Sequence, residues 1–293
     1  MKVSILVPIY KVEKFFSKCL ESLLSQTYPH IEYVFVNDCT PDNSMDVLHN
    51  IMERYPQRAN MVRIINNATN SGIAIVRNIL LENATGDYIL FVDSDDWIDL
   101  DMLERMYGVA IKENSDIVIC DMIDYYEDGT RKFLNCTKFN SIYNVTPSAS
   151  NKIFRKSFIN NVRFLNGLWY EDFNFTTKLL FNNPKISTIS NLYYNCHSRK
   201  DSTMNNNNSK KNLDIITIIE DLKQYAKQNN LYDDNIIKYL IFDHILITTI
   251  NRVERQKNLE KSDVIKKLRS YCKQNLKNYK KQPFYLFFVR SRP

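Results

Sequence analysis

Tyr88-Ile89-Leu90-Phe91-Val92-Asp93-Ser94-Asp95-Asp96 is the stretch from which the organisation of this chain can be read. A short apolar run passes directly into three carboxylates. The run is too short for a helix and reads as a strand buried on both faces. Three like charges at the end of such a strand repel one another, and desolvation opposes their ionisation. A bound divalent cation relieves both problems, and a cluster of oxygen donors suits Mg²⁺ or Mn²⁺. Capping the helix that periodicity starts near Leu100 needs one acid, Asp95 or Asp96, and leaves the others unexplained.

Working outward, Ser4–Val7, Tyr33–Val36, Arg63–Ile65 and Ile117–Cys120 are similar short apolar runs. Between them Phe15, Phe16, Cys19, Leu20, Leu23 and Leu24 recur at helical spacing, as do Val47, Leu48, Ile51 and Met52, and then Ile75, Val76, Ile79 and Leu80. Strand and helix in alternation predict an α/β fold with a mostly parallel sheet sandwiched by helices. Ligands of such sheets bind at the carboxyl ends of the strands. Asp38 stands at one of those ends, in Val36-Asn37-Asp38-Cys39-Thr40-Pro41-Asp42. On the motif alone a turn or N-cap aspartate is the better reading, and its place at the carboxyl end of a parallel strand raises the functional one.

Composition narrows the classes. Only 5 of 293 residues are glycine, and neither GxGxxG nor GxxxxGK[ST] occurs, so the usual dinucleotide and P-loop cradles are absent. The first apolar run is short, is broken by Pro8 and lacks a small-residue cleavage site, which predicts a buried strand in place of a secretion signal. No stretch reaches the length of a membrane helix, so a cytoplasmic protein is expected. Six cysteines without a CxxC pair predict reduced thiols. The net charge of +6 is concentrated at the end: from Asn251 onward thirteen Lys/Arg face three acids. Such a tail suits an anionic surface such as lipid head groups. Cations do not interleave across the sheet, which argues against nucleic acid as a partner.

These motifs together carry a resemblance. Pro8-Ile9-Tyr10 after the first strand, Asp38 after the second, Asn70-Ser71-Gly72 leading to Ala74 and Arg77-Asn78, and Asp93-Ser94-Asp95 occur in the order and spacing of the family 2 glycosyltransferases with the GT-A fold. The likeness covers about residues 1–200. It implies a donor site for a UDP-sugar, with Pro8 and Ser94 inside its motifs. Tyr10 would lie against uracil, Asp38 would accept from the uracil N3–H, and Arg77 would hold the nucleotide. Asp93 would contact the ribose, and Asp95 would bind the Mn²⁺ or Mg²⁺ that bridges the two phosphates. Each role fits the chemistry: an aromatic face stacks, a carboxylate accepts from a ring N–H, and a cation stabilises the leaving UDP.

Downstream, Gly167-Leu168-Trp169-Tyr170-Glu171-Asp172-Phe173 resembles the family's Glu-Asp motif. The resemblance makes Asp172 the general base that deprotonates the acceptor hydroxyl, with Glu171 and Trp169 on the acceptor side. The same two acids also suit the first turn of a helix. Tyr194-Asn195-Cys196-His197-Ser198-Arg199-Lys200 resembles the segment that closes over the diphosphate, with His197 as a further metal ligand and Arg199 and Lys200 as a phosphate clamp. It departs from the family's commoner Arg-x-Arg form.

The expected organisation is a transferase domain over 1–204, with a nucleotide-sugar half at 1–123 and an acceptor half at 124–204. A helical, basic region follows at 205–293, with helices at 213–226, 235–252 and 261–275. The expected reaction is inverting transfer of a hexose or N-acetylhexosamine from a UDP-sugar to a glycan or glycolipid acceptor in surface-polysaccharide synthesis. Two alternatives accompany it: a non-catalytic nucleotide-sugar-binding or docking module, and a sugar nucleotidyltransferase. The latter normally needs a glycine-rich phosphate loop after the first strand, where this chain has Pro8-Ile9-Tyr10-Lys11.

Overall fold

The computed structural model describes residues 2–139, 142–198 and 208–277. The chain divides into two compact units, Met1–Asn166 with Asn183–Ser202, and Gly167–Asn182 with Thr203–Pro293.

The first unit begins with the alternation the sequence predicts: β1 (Val3–Ile9), α1 (Phe16–Leu24), β2 (Ile31–Asn37), α2 (Ser44–Met52), β3 (Val62–Asn66), α3 (Ile73–Asn83) and β4 (Tyr88–Phe91). These four strands are parallel, in the order β3-β2-β1-β4. All seven residues of β1 are buried, as its uninterrupted apolar run requires. On α1 the buried set is Phe16, Cys19, Leu20, Leu23 and Leu24, one stripe at helical spacing. The third strand departs from the expectation of burial on both faces. It is outermost in the sheet, Arg63 is exposed and Val62, Ile64 and Ile65 are only half-buried.

The chain continues through β5 (Trp97–Ile98), α4 (Met102–Lys112), β6 (Ile117–Tyr126), β7 (Arg131–Leu134), β8 (Lys152–Arg155), the short α5 (Lys156–Ile159) and, after an excursion into the second unit, β9 (Ile186–Ser198). β8 joins β4 antiparallel and extends the sheet as β8-β6-β9-β5, with β7 also on β6. The α/β fold is therefore present, its parallel half enlarged by a mixed half. Between Cys120 and Asp121 the β6–β9 register slips, so that Cys120 faces Ile189 and Asp121 faces Tyr193. Asp121 anchors this bulge by accepting from the backbone N–H groups of Cys136, Thr137 and Asn191. A bulge re-aims the side chains that follow it, and here those are Tyr194 and His197.

The second unit is helical: α6 (Glu171–Phe181), α7 (Asp214–Gln228), α8 (Asp234–Leu240), a π-helical segment Ile241–Thr249, α9 (Ile250–Arg255) and α10 (Lys261–Asn275). The single helix expected over 235–252 is thus interrupted by a wide turn that apolar periodicity does not report. α6 belongs with these helices: Asn174 Nδ2 donates to Asp221 of α7 at 2.8 Å, and Lys178 pairs with the same carboxylate at 2.6 Å. Among the described residues no helix is long and apolar enough to cross a membrane.

Candidate functional site

The three acids after β4 stand in different surroundings. Asp93, whose side chain is 34% exposed, accepts from Nη2 of the buried Arg77 at 2.9 Å and from Ser150 Oγ at 3.2 Å. Arg77 reaches it from α3 across the ring of Phe164, 5.4 Å from the guanidinium carbon. The Asp93 N–H donates to the hydroxyl of Tyr194 at 3.0 Å, so β9 fixes the backbone at the strand end. Ser94 is buried and Asp95 half-buried. Asp96 is buried and committed inward: its carboxylate accepts from the His197 N–H at 2.7 Å and hydrogen-bonds the Tyr194 hydroxyl. Burial, reinforced by the negative charges of Asp95 and Asp93, pushes the Asp96 pKa well above the usual carboxylate range. Neither Asp95 nor Asp96 caps the next helix, which starts at Met102 with Asp101 in the cap position.

Asp38 follows β2 and is buried, yet its pKa is lowered. Burial alone would raise it, and hydrogen bonds to the charged form outweigh that. Oδ1 accepts from Asn67 Nδ2, Ser71 N and Ser71 Oγ at 2.7–2.9 Å, and Oδ2 accepts from Gly72 N at 2.9 Å. Asp38 therefore organises the loop that leads into α3, where Gly72 supplies the positive φ of 87°. Among the described residues its Oδ2 carries a single donor, where an ionised carboxylate oxygen accepts two. Pro8 is buried within β1, opposite Val36, and Tyr10 beyond it is 40% exposed. The His197 and Phe15 rings meet edge to face, with centroids 4.6 Å apart.

No three His, Cys, Asp or Glu side chains converge into a metal cage among the described residues. Asp93 and Asp95 are part-exposed carboxylates at the end of a strand. That donor set fits Mg²⁺ or Mn²⁺ held by one or two carboxylates, with water and substrate phosphates completing the shell.

Trp169, Glu171 and Asp172 lie in the second unit. Glu171 and Asp172 occupy the first turn of α6, where the helix dipole favours negative charge. Trp169 donates its N–H to Asp214 Oδ2 at 3.0 Å, and its ring carries the Arg252 guanidinium at 5.1 Å. Arg199, Lys200 and the aromatic-basic end of the chain lie outside the described residues. Sequence reasoning gave no individual role to Tyr194, Ser150 or Arg252. Tyr194 is an ordinary strand residue by pattern, Ser150 follows no motif, and Arg252 sits in a helix whose spacing signals only burial.

The sheet order, the acids at the end of β4 and the arginine behind them define the class of the GT-A glycosyltransferase fold. The crystal structure of Staphylococcus aureus TarS 1–349 in complex with UDP-GlcNAc superposes with a TM-score of 0.74 at 26% identity, covering 94% of this chain and 81% of that one. Residues 4–168 match the profile of glycosyl transferase family 2, and the chain belongs to that family. Glycosyltransferase GlyA of Streptococcus pneumoniae is 28% identical over 221 residues, 69% of this chain and 31% of that protein. The poly(ribitol-phosphate) beta-N-acetylglucosaminyltransferase TarS of S. aureus is 32% identical over 208 residues, 66% of this chain and 35% of that protein. The matched part thus spans about a third of each of these two relatives. Asp172 and the C-terminal helices lie beyond the residues that match the family profile.

Proposed function

We propose that the chain transfers a hexose or N-acetylhexosamine from a UDP-sugar to a hydroxyl of a lipid-linked or oligosaccharide acceptor, with inversion, in the synthesis of a cell-surface polymer. The observation that carries this reading is the pair of part-exposed carboxylates, Asp93 and Asp95, at the end of β4. One of them is locked by a buried arginine, in a fold shared with a relative solved with UDP-GlcNAc. Tyr10 lies against uracil, Asp38 Oδ2 accepts from the uracil N3–H, and Asp93 holds the ribose while Arg77 fixes its carboxylate. A divalent cation on Asp95 screens the diphosphate and stabilises the departing UDP when bound. Asp172 takes the proton of the acceptor hydroxyl as its oxygen bonds to the anomeric carbon. The bond to UDP breaks with its electron pair leaving on the phosphate oxygen. His197 belongs beside the cation and Arg199 and Lys200 beside the diphosphate. Glu171 and Trp169 line the acceptor side. The cations that gather from Asn251 onward draw the chain to an anionic bilayer, where a lipid-linked acceptor resides.

The test is UDP release from a panel of UDP-sugars with Mn²⁺, with and without EDTA, repeated with Asp95→Ala, alongside calorimetric titration with UDP. Release from one donor, abolished by the chelator and reduced at least about 100-fold by the substitution, supports the reading. Release indifferent to metal removes the role of Asp95. Wild-type protein that binds no UDP refutes the donor site and favours a docking module.

A further inference from the structure

Tyr170 stands at the N-cap position of α6 with φ 70° and ψ 27°. A side chain other than glycine is strained in this left-handed region and persists only where the surroundings over-determine it. Here they do. The Tyr170 hydroxyl donates to Asn212 Oδ1 at 2.9 Å, and the N–H of Trp169 is taken by Asp214. Lys211 Nζ bridges the carbonyl of Gly167 at 3.1 Å and the Asp214 carboxylate at 3.3 Å. The guanidinium of Arg252 lies 5.1 Å from the ring centre of Trp169 and 5.9 Å from that of Tyr170. Immediately after the acids, Phe173 packs in a tilted arrangement on His244 of the π-helical segment, with centroids 3.9 Å apart and planes 30° apart. Glu171 and Asp172 are thus strung between two anchored aromatics, and the anchors named, Asn212, Asp214, Lys211, Arg252 and His244, all come from residues 208–277.

We propose that Arg252 is a positioning residue for transfer: by holding Trp169 and the strained Tyr170, it fixes the aim of the Asp172 carboxylate. The C-terminal helices are then part of the reaction machinery, although they fall outside the segment that matches the family profile. This rests on the reading of Asp172 as the base. Strain held next to a proton acceptor is pre-organisation, and a misplacement of about 1 Å costs on the order of 100-fold in rate. A planar guanidinium stacks on both rings, whereas an ammonium keeps only the cation–π attraction. Lysine should therefore restore part of what alanine loses.

Full-length wild type, Arg252→Ala, Arg252→Lys and Tyr170→Phe are compared in three assays. These are UDP release from UDP-GlcNAc with Mn²⁺, calorimetric titration with UDP, and hydrogen exchange of peptides covering 167–175. Arg252→Ala is expected to lower kcat by about 10- to 100-fold, with UDP affinity within about twofold of wild type and faster exchange at 167–175. Arg252→Lys should recover part of the rate. Tyr170→Phe keeps the stack and loses the bond to Asn212, so a smaller loss in the same direction is expected even if Arg252→Ala does not fold. Unchanged exchange or unchanged kcat in Arg252→Ala overturns the proposal, as does a matching loss of UDP affinity. If wild type neither binds UDP nor releases it, the donor reading falls. The exchange assay still decides whether Arg252 fixes the segment.

Discussion

Acid should weaken this protein through one buried histidine. His244 is 16% exposed and packed on Phe173, and burial lowers its pKa from 6.5 to about 4. Between those values the unfolded chain binds a proton that the folded imidazole refuses. Stability is therefore intact above pH 6.5 and is lost as the pH falls toward 4. Each tenfold change in proton affinity is about 1.36 kcal/mol, so the whole window is worth about 3 kcal/mol, and the step from about pH 7 to about pH 5 about 2 kcal/mol. Asp243 works the other way: burial raises its pKa, so its contribution returns as the pH falls, and its carboxylate lies 3.8 Å from the imidazole. His244→Leu isolates the histidine, because Asp243 remains in both proteins and leucine keeps an apolar contact with Phe173. Urea unfolding at pH 7 and pH 5 measures the difference. Wild type should lose about 2 kcal/mol more than the variant over that interval. Equal losses in the two proteins would refute the assignment of an uncharged, buried imidazole.

Three further outcomes follow from the geometry. Arg77→Met removes the guanidinium from Asp93; because Asp93 is part-exposed, solvent softens the cost to about 2 kcal/mol, read as a fall in Tm together with weaker UDP binding. Gly86→Ala places a Cβ 2.7 Å from both the backbone nitrogen and Oγ of Ser4, the serine that also bonds Glu32, and should destabilise by about 1–3 kcal/mol in chemical denaturation. Asp172→Asn should reduce transfer by about 10²- to 10⁴-fold while leaving calorimetric UDP affinity unchanged, since the substitution removes a proton acceptor and keeps the side chain's shape. An Asp172→Asn protein that transfers at the wild-type rate would place the base elsewhere.

The site divides the work between charge at strand ends and a buried frame behind it. Asp93 reaches solvent only because Arg77, Ser150 and Tyr194 hold it from within. Asp96 is the cost of that frame, a buried carboxyl under the strand end whose pKa burial pushes up and which ties β9 to it through the His197 N–H. Buried and bonded to the His197 N–H and the Tyr194 hydroxyl, Asp96 is set apart from the part-exposed Asp93 and Asp95.

Much of this was legible in the sequence because it depends on local periodicity. Alternating strand and helix patterns over residues 3–91 specify a parallel sheet, since each apolar run is too short for a helix and each stripe too regular for a strand. Acids placed where those strands stop then mark the site, because polar residues at that boundary have no core to enter. Other features depend on contacts far apart in the chain. The division of labour among Asp93, Asp95 and Asp96 follows from Arg77, Ser150, Tyr194 and His197, all distant from the acids in sequence. The exposure of β3 follows from its place at the sheet edge, which no pattern in Val62–Asn66 states. The grouping of α6 with the C-terminal helices, the π-helical segment and the left-handed Tyr170 are likewise tertiary outcomes. A tyrosine enters that conformation only when packing around it outweighs its own backbone preference. Sequence determines which residues are able to form the site, and long-range packing decides which of them are buried and which reach solvent.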